Sequence, residues 1–447
     1  MTAFVSKGRT RNYVRQVKGA VAYKAVAMAA SFLAIPLMIR YLGQEQFGVW
    51  STLLTVISWI VFFDLGIGNG LRNKVAESLA KGETDEAANY IGSAYTLLGL
   101  IALALWLVLT IAAYWVPWQT VFNTSAVSEE TLRATIQITA FFIVLNFWVA
   151  LVAALLGALQ RTSLIALGQL ISNVLVLALV FFLSRGTEAS ISFLALAYGM
   201  SLVTANVTLS VWFYRIRPEL RPHFYVEKSH IRPLLGVGLQ FFFIQLAVLV
   251  IFTTDKILIT QLFGPENVTQ YEVIFKLFSV IVVAHGLISA PLWSAYTDAY
   301  HRNDFLWIRR VLFLQFFIFG LVLFGVGATA LLAGDLISLW IGPGFDVSTS
   351  LITNMSVLVI VSIWNNIFGT ILGGIGKVRL GSIYTIFTAL VNIPLSVFFA
   401  KTLGCGVSGI VLGTTLSIAI SSIISPLQVY YFVYCSKKTK FLDEILR

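Results

Sequence analysis

Charge is scarce in this chain: Asp, Glu, Lys and Arg together make up 11% of its 447 residues, and only 20 are acidic. Soluble domains carry about 25% charged residues, so a water-facing globular protein is excluded. Cysteine is nearly absent. Cys405 and Cys435 fall at opposite ends of the last apolar run, which leaves no disulfide framework. Four histidines without Cys/His ligand spacing give no reason to expect a metal, and no cofactor is expected either. The glycine-rich GIGNG (66–70) lacks both the preceding strand and the Gly-Lys-Ser/Thr ending of a phosphate-binding loop. The first 18 residues are basic and carry no apolar core followed by a small-residue cleavage site, so no cleavable signal is expected. Long hydrophilic stretches are missing as well, and with them any soluble domain.

Hydrophobic sequence is what abounds, at 58%. The reading is an all-α polytopic membrane protein with 12 transmembrane helices, expected near 17–40, 48–66, 90–113, 134–157, 164–183, 191–213, 234–262, 271–296, 309–331, 351–374, 380–400 and 406–434. Each approaches the ~20 residues a bilayer core requires. Residues 214–233 hold Pro218, Pro222, Pro233 and five basic residues, and read as a cytoplasmic linker between an N-terminal six-helix lobe (1–213) and a C-terminal one (234–447).

The net charge of +10 does not point to nucleic acid, because the basic residues sit in short loops between spans. Of the 30 lysines and arginines, 23 fall on one side of the expected topology, four on the other and three inside spans. That bias predicts a plasma (inner) membrane protein with both termini cytoplasmic.

The two halves resemble one another. YLGQEQFGVW (41–50) aligns without gaps on LFGPENVTQY (262–271), so that Gly43 meets Gly264 and Trp50 meets Tyr271. LLGALQRTSLIALG (155–168) aligns on ILGGIGKVRLGSIY (371–384), with Gly157 on Gly373 and Arg161 on Lys377. Both matches keep the same side of the membrane, which predicts a parallel duplication and two six-helix lobes around a central cavity.

Pro36 followed by YLGQEQFGVW, DLGIGNGLRN (64–73) at the close of span two, and TTDKILITQLFG (253–264) in span seven together form a pattern. It resembles the polysaccharide-exporter branch of the multidrug/oligosaccharidyl-lipid/polysaccharide superfamily, and more narrowly the Wzx-type O-antigen flippases. The resemblance covers essentially the whole chain. It implies transfer of an undecaprenyl-pyrophosphate-linked oligosaccharide between membrane leaflets by alternating access. A lipid-linked oligosaccharide substrate, membrane lipids, and a polysaccharide polymerase with its chain-length regulator are the partners it implies.

Ionisable residues inside spans are expensive, on the order of 3 kcal/mol at the bilayer centre, and mark candidate sites. For an anionic head group the candidates are Lys24, Lys256, Lys276 and, at the cytoplasmic mouth, Arg72. Beside each stands a structural reading: Lys24 snorkels, Lys256 pairs with an acid, Lys276 pairs with Glu272 one turn earlier, and Arg72 is an ordinary positive flank. Asp64, Asp255, His285 and the in-helix Pro36 are candidates for ion coupling or gating, set against roles in packing. Asn146, Asn173, Asn365, Asn366 and Asn392 are candidates for contacting sugar. Two other functions stay open. A cation-coupled drug or metabolite antiporter would favour several membrane carboxylates. A surface-polysaccharide polymerase or ligase would need a long external loop with acid/base residues.

Overall fold

The computed structural model describes residues 2–64, 66–222, 230–231 and 238–435. The C-terminal basic tail, part of the expected linker (223–229 and 232–233) and the side chains of the N-terminal basic residues as far as Arg15 lie outside them. Among the described residues all regular structure is helical, and the chain divides into two compact units, Met1–Gln245 and Leu246–Arg447.

The first unit begins with α1 (Thr2–Leu42), whose helix continues through the buried Pro36 to its end. It stops because Gly43 adopts a positive φ of 79°, open to glycine at no steric cost. After α2 (Gln44–Ser58) a 3-10 turn over Trp59–Asp64 leads to α3 (Ile67–Lys81). The helices of seven residues or more that follow, up to the linker, are α4 (Thr84–Trp115), α5 (Glu129–Val149), α6 (Val152–Ala158), α7 (Thr162–Gly186) and α8 (Ile191–Ile216). Small residues let α1 lie close along α7. Ala27 and Ala34 are buried there, and Asn173 donates from Nδ2 to the Ala27 carbonyl at 2.8 Å.

Helix α3 is firmly packed, with Ile67, Leu71 and Val75 forming a fully buried stripe against α4 and α6. The described part of the linker is also tied down. Leu220 is buried, and His230 lies buried with Nε2 3.2 Å from Glu86 of α4 and its ring edge-on to Tyr90.

The second unit contains α9 (Gly238–Phe263), in which the boundary between the units falls, then α10 (Pro265–Ser289), α11 (Leu292–His301) and α12 (Phe305–Leu331). They are followed by α13 (Ala333–Trp340), α14 (Thr349–Gly374), α15 (Arg379–Val397) and α16 (Gly406–Tyr430). Its core at one end gathers Tyr296, Ile308, Phe368, Ile371 and Phe432. Close contact of α11 with α14 depends on Gly374, whose carbonyl accepts from Thr297 Oγ1 at 2.7 Å. A Cβ on Gly374 would come within 2.8 Å of Tyr296.

Ten helices among the described residues are long and apolar enough to cross a membrane. They coincide with ten of the twelve expected spans. The other two expected spans correspond to α2, only 15 residues before its 3-10 continuation, and to α9, which begins beside residues outside the described set.

The internal repeat is visible in backbone geometry. Gly264 breaks α9 from α10 with φ 92°, as Gly43 breaks α1 from α2 with φ 79°. At the second match the amides of Arg161 and Lys377 donate to the carbonyls of Leu156 and Leu372, at 2.8 and 2.9 Å. Just before them Gln160 and Gly376 take the same left-handed conformation, φ 55° and 74°. Two helix ends in corresponding positions thus close with the same αL motif.

Candidate functional site: a polar cavity in the first unit

The segment DLGIGNGLRN builds one wall of a cavity. Asp64 ends the 3-10 turn, and Gly66 turns the chain with a left-handed φ of 78°. The Asp64 carboxylate then accepts from the Gly68 amide at 3.0 and 3.1 Å, satisfying a free N–H in the first turn of α3. Its charge also suits the positive end of that helix. One turn beyond Gly68 stands Arg72, whose side chain lies across Gly157 of α6. A Cβ on Gly157 would sit 3.1 Å from Arg72 Cδ and Nε, so glycine there is what admits the guanidinium.

The cavity, of about 420 Å³, is lined by Asp64, Asn69, Arg72, Asn146, Gly157 and Thr162 together with apolar residues of α4, α5 and α7. Asn146 is positioned by Asn206 of α8, whose Nδ2 donates to Asn146 Oδ1 at 2.8 Å, while the Asn146 amide hydrogens reach no acceptor among the described residues. Arg72 forms no hydrogen bond or ion pair with any described residue. An arginine offers five N–H donors in a planar fork that matches phosphate and carboxylate oxygens. An uncommitted guanidinium beside an asparagine amide is therefore a place for an oxyanion, with further polar groups at hand for a hydroxyl-rich ligand.

The other expected residues are distributed differently. Lys24 is exposed on α1 and makes no ion pair with a described residue. Lys256 of α9 forms an ion pair with Glu272 of α10, both side chains being mostly buried. This is the packing role weighed against substrate contact. Glu272, one turn before Lys276 on α10, reaches across to a second helix. Asp255, next to Lys256 in sequence, points into a buried network instead. It accepts from Thr414 Oγ1 at 2.8 Å and Tyr271 Oη at 3.2 Å. Both of these partners are hydroxyls. Asn392 extends the network, donating to Thr414 and Ser417 and accepting from Thr254. His285 is buried in α10 with a ring nitrogen 3.3 Å from Ser289 Oγ.

Of the five asparagines, only Asn146 lines this cavity. Asn173, Asn365 and Asn392 are spent on helix–helix hydrogen bonds, and Asn366 is exposed. Sequence reasoning missed Asn69 and Gly157 as parts of the site. Asn69 was visible, since it lies between Asp64 and Arg72 in the same motif.

A family model described as polysaccharide biosynthesis protein matches residues 18–296. A Salmonella typhimurium protein named for O-antigen transport is 22% identical over 407 residues, covering 89% of this chain and 91% of its own. A Yersinia pseudotuberculosis protein named for O-antigen export is 21% identical, with coverages of 89% and 91%. Among solved structures, an inward-facing multidrug resistance MATE family transporter superposes with a TM-score of 0.76 at 16% identity, over 94% of this chain and 99% of that one. A superfamily transporter from Pyrococcus furiosus superposes with a TM-score of 0.67 at 16% identity, over 95% and 97%. The fold is thus shared with transporters of known structure, and the chain belongs to the polysaccharide biosynthesis protein family.

Proposed function

We propose that this protein is a flippase that moves an undecaprenyl-pyrophosphate-linked oligosaccharide, an O-antigen or related repeat unit, from the inner to the outer leaflet by alternating access between its two lobes. The observation that carries the reading is the cavity around Arg72. An uncommitted cation held over Gly157, with Asn146 and Asn69 nearby, gives a pyrophosphate and its first sugar complementary groups. The relatives named for O-antigen transport and export support the same class of substrate. In this reading Arg72 makes the first contact with the pyrophosphate and Lys24 supplies a second uncommitted cation. Asp64 holds the start of α3, and so the bearing of Arg72. The buried polar network around Asp255 fixes the second lobe.

The test uses proteoliposomes carrying the purified protein and a fluorescent undecaprenyl-pyrophosphoryl oligosaccharide, with an external quencher reporting exposure of the inner-leaflet pool. Wild type is expected to expose that pool. Arg72→Ala should slow the process at least tenfold, the loss of a charge-assisted bidentate contact being worth roughly 1.5–3 kcal/mol, with Arg72→Lys intermediate. Flipping that survives Arg72→Ala and Lys24→Ala together would remove this site while leaving the function. Absence of flipping with every lipid-linked glycan, with or without an ion gradient, would favour a small-molecule antiporter.

A further inference from the structure

The helix pair α4 and α5 carries a second depression beside the polar cavity. On α4, Gly99, Ala102 and Trp106 recur on one helical face; on α5, Phe141, Leu145 and Trp148 do the same. Between these stripes runs a groove of about 380 Å³ with almost no polar lining. Leu98 and Asn146, each one residue from a groove residue, line the polar cavity. One residue along a helix turns ~100° and rises ~1.5 Å, so cavity and groove open on two sides of one seam at the same depth.

The groove is built by particular residues. A Cβ on Gly99 would stand 3.1 Å from Trp148 Nε1, so the glycine lets the indole lie against α4 as a floor. The indole N–H is satisfied by the Tyr95 carbonyl at 2.8 Å, so it presents the groove with an apolar ring. The rim is open: Leu103 is 53% and Phe141 45% exposed, and the surface continues into Leu100 and Leu107. Within a hydrocarbon core such a surface takes an apolar chain.

We infer that this groove seats the head-proximal isoprenoid units of a polyprenyl chain whose pyrophosphate occupies the neighbouring cavity, an inference that rests on the flippase reading. Head and tail of a lipid-linked glycan are covalently joined, and here a cation-bearing cavity and an apolar groove adjoin across one helix pair. The groove extends over eight residues of each helix, ~10 Å, enough for a short stretch of chain. Its two tryptophans and Phe141 give broad, polarisable faces suited to methyl-branched, unsaturated units. The remaining tail stays in lipid.

The test is photolabelling of the full-length protein in proteoliposomes. The probe is undecaprenyl pyrophosphate bearing a diazirine near its head group, and adducts are mapped by mass spectrometry. Adducts are expected on Leu103, Phe141 and Leu145, displaced by a tenfold excess of unlabelled undecaprenyl pyrophosphate and unaffected by added phosphatidylglycerol. Leu103→Trp fills the groove from an exposed position, so folding does not depend on it. It should cut labelling and flipping at least tenfold, with binding of inorganic pyrophosphate changed less than twofold. Equal displacement by phosphatidylglycerol would make the groove a general lipid site and overturn the proposal. Labelling elsewhere, or normal labelling and flipping in Leu103→Trp, would overturn it too, and the flippase reading would still stand if wild type flips. Specific labelling of the groove in a protein that flips no lipid-linked glycan would sustain the polyprenyl site and sink the flippase reading.

Discussion

At the scale of single residues, Gln160 holds a conformation that suits glycine. Its φ of 55° costs a non-glycine residue roughly 1–2 kcal/mol, part of which a glycine returns through its freer unfolded chain. Gln160→Gly is therefore expected to stabilise the protein by about 0.5–1 kcal/mol, read as a higher thermal unfolding midpoint in detergent. A lower midpoint would show that the glutamine side chain contributes what its backbone does not. The ion pair between Lys256 and Glu272 makes a different prediction. Removing the lysine leaves a mostly buried carboxylate without this partner, at a cost of about 1–3 kcal/mol. Adding Glu272→Gln to Lys256→Ala should restore stability. If transport returns with it, Lys256 acts by pairing; if stability returns and transport stays lost, the lysine touches substrate.

At the scale of elements, α3 shows how far local sequence reaches. Asp64 and Arg72 share a site because a glycine turn and about one and a half helical turns separate them, and that spacing was legible in DLGIGNGLRN. The glycine that admits Arg72 comes from α6, and nothing in the sequence near residue 157 announces that neighbour. The asparagines failed as a guide for a related reason. Asn173 and Asn392 have the composition of cavity-lining residues, yet a membrane helix also uses such amides to hold its neighbours, and only packing decides between the two. Long helices such as α4 were legible because a bilayer demands a continuous apolar run. The eight-residue α13 was not, being too short to carry a periodic signal. On the exposed face of α3, Lys74 and Lys81 each lie 2.8 Å from Glu77, and their ammonium groups push its carboxyl down to about 2 from the usual 4.5. A depressed carboxylate stabilises the folded helix fully above its ordinary value and loses that contribution as pH falls through about 2. NMR titration of Glu77 should show this low midpoint at low ionic strength. It should rise towards 4.5 in ~1 M salt, where the screening length shrinks to ~3 Å. Transport between pH 5 and 8 should be indifferent to Glu77→Gln.

At the scale of the whole molecule, the Lys/Arg bias makes a prediction about orientation. Cys405 is exposed just before α16, and Cys435 lies beyond its far end. With both termini cytoplasmic, a membrane-impermeant maleimide applied to intact spheroplasts should modify Cys405 and leave Cys435 until the membrane is permeabilised. Cys405→Ser should remove the first signal. Labelling in the opposite order would invert the topology.

The paired turns at Gln160 and Gly376 carry one more consequence. The two halves have drifted until only scattered letters match, yet their chains still bend left-handedly at corresponding positions, one of them without the glycine that makes the bend easy. At these two turns the torsion angle is shared where the residue is not. A search for further duplicated membrane proteins of this kind would therefore recover more by comparing where backbones turn than by comparing what is written at the turn.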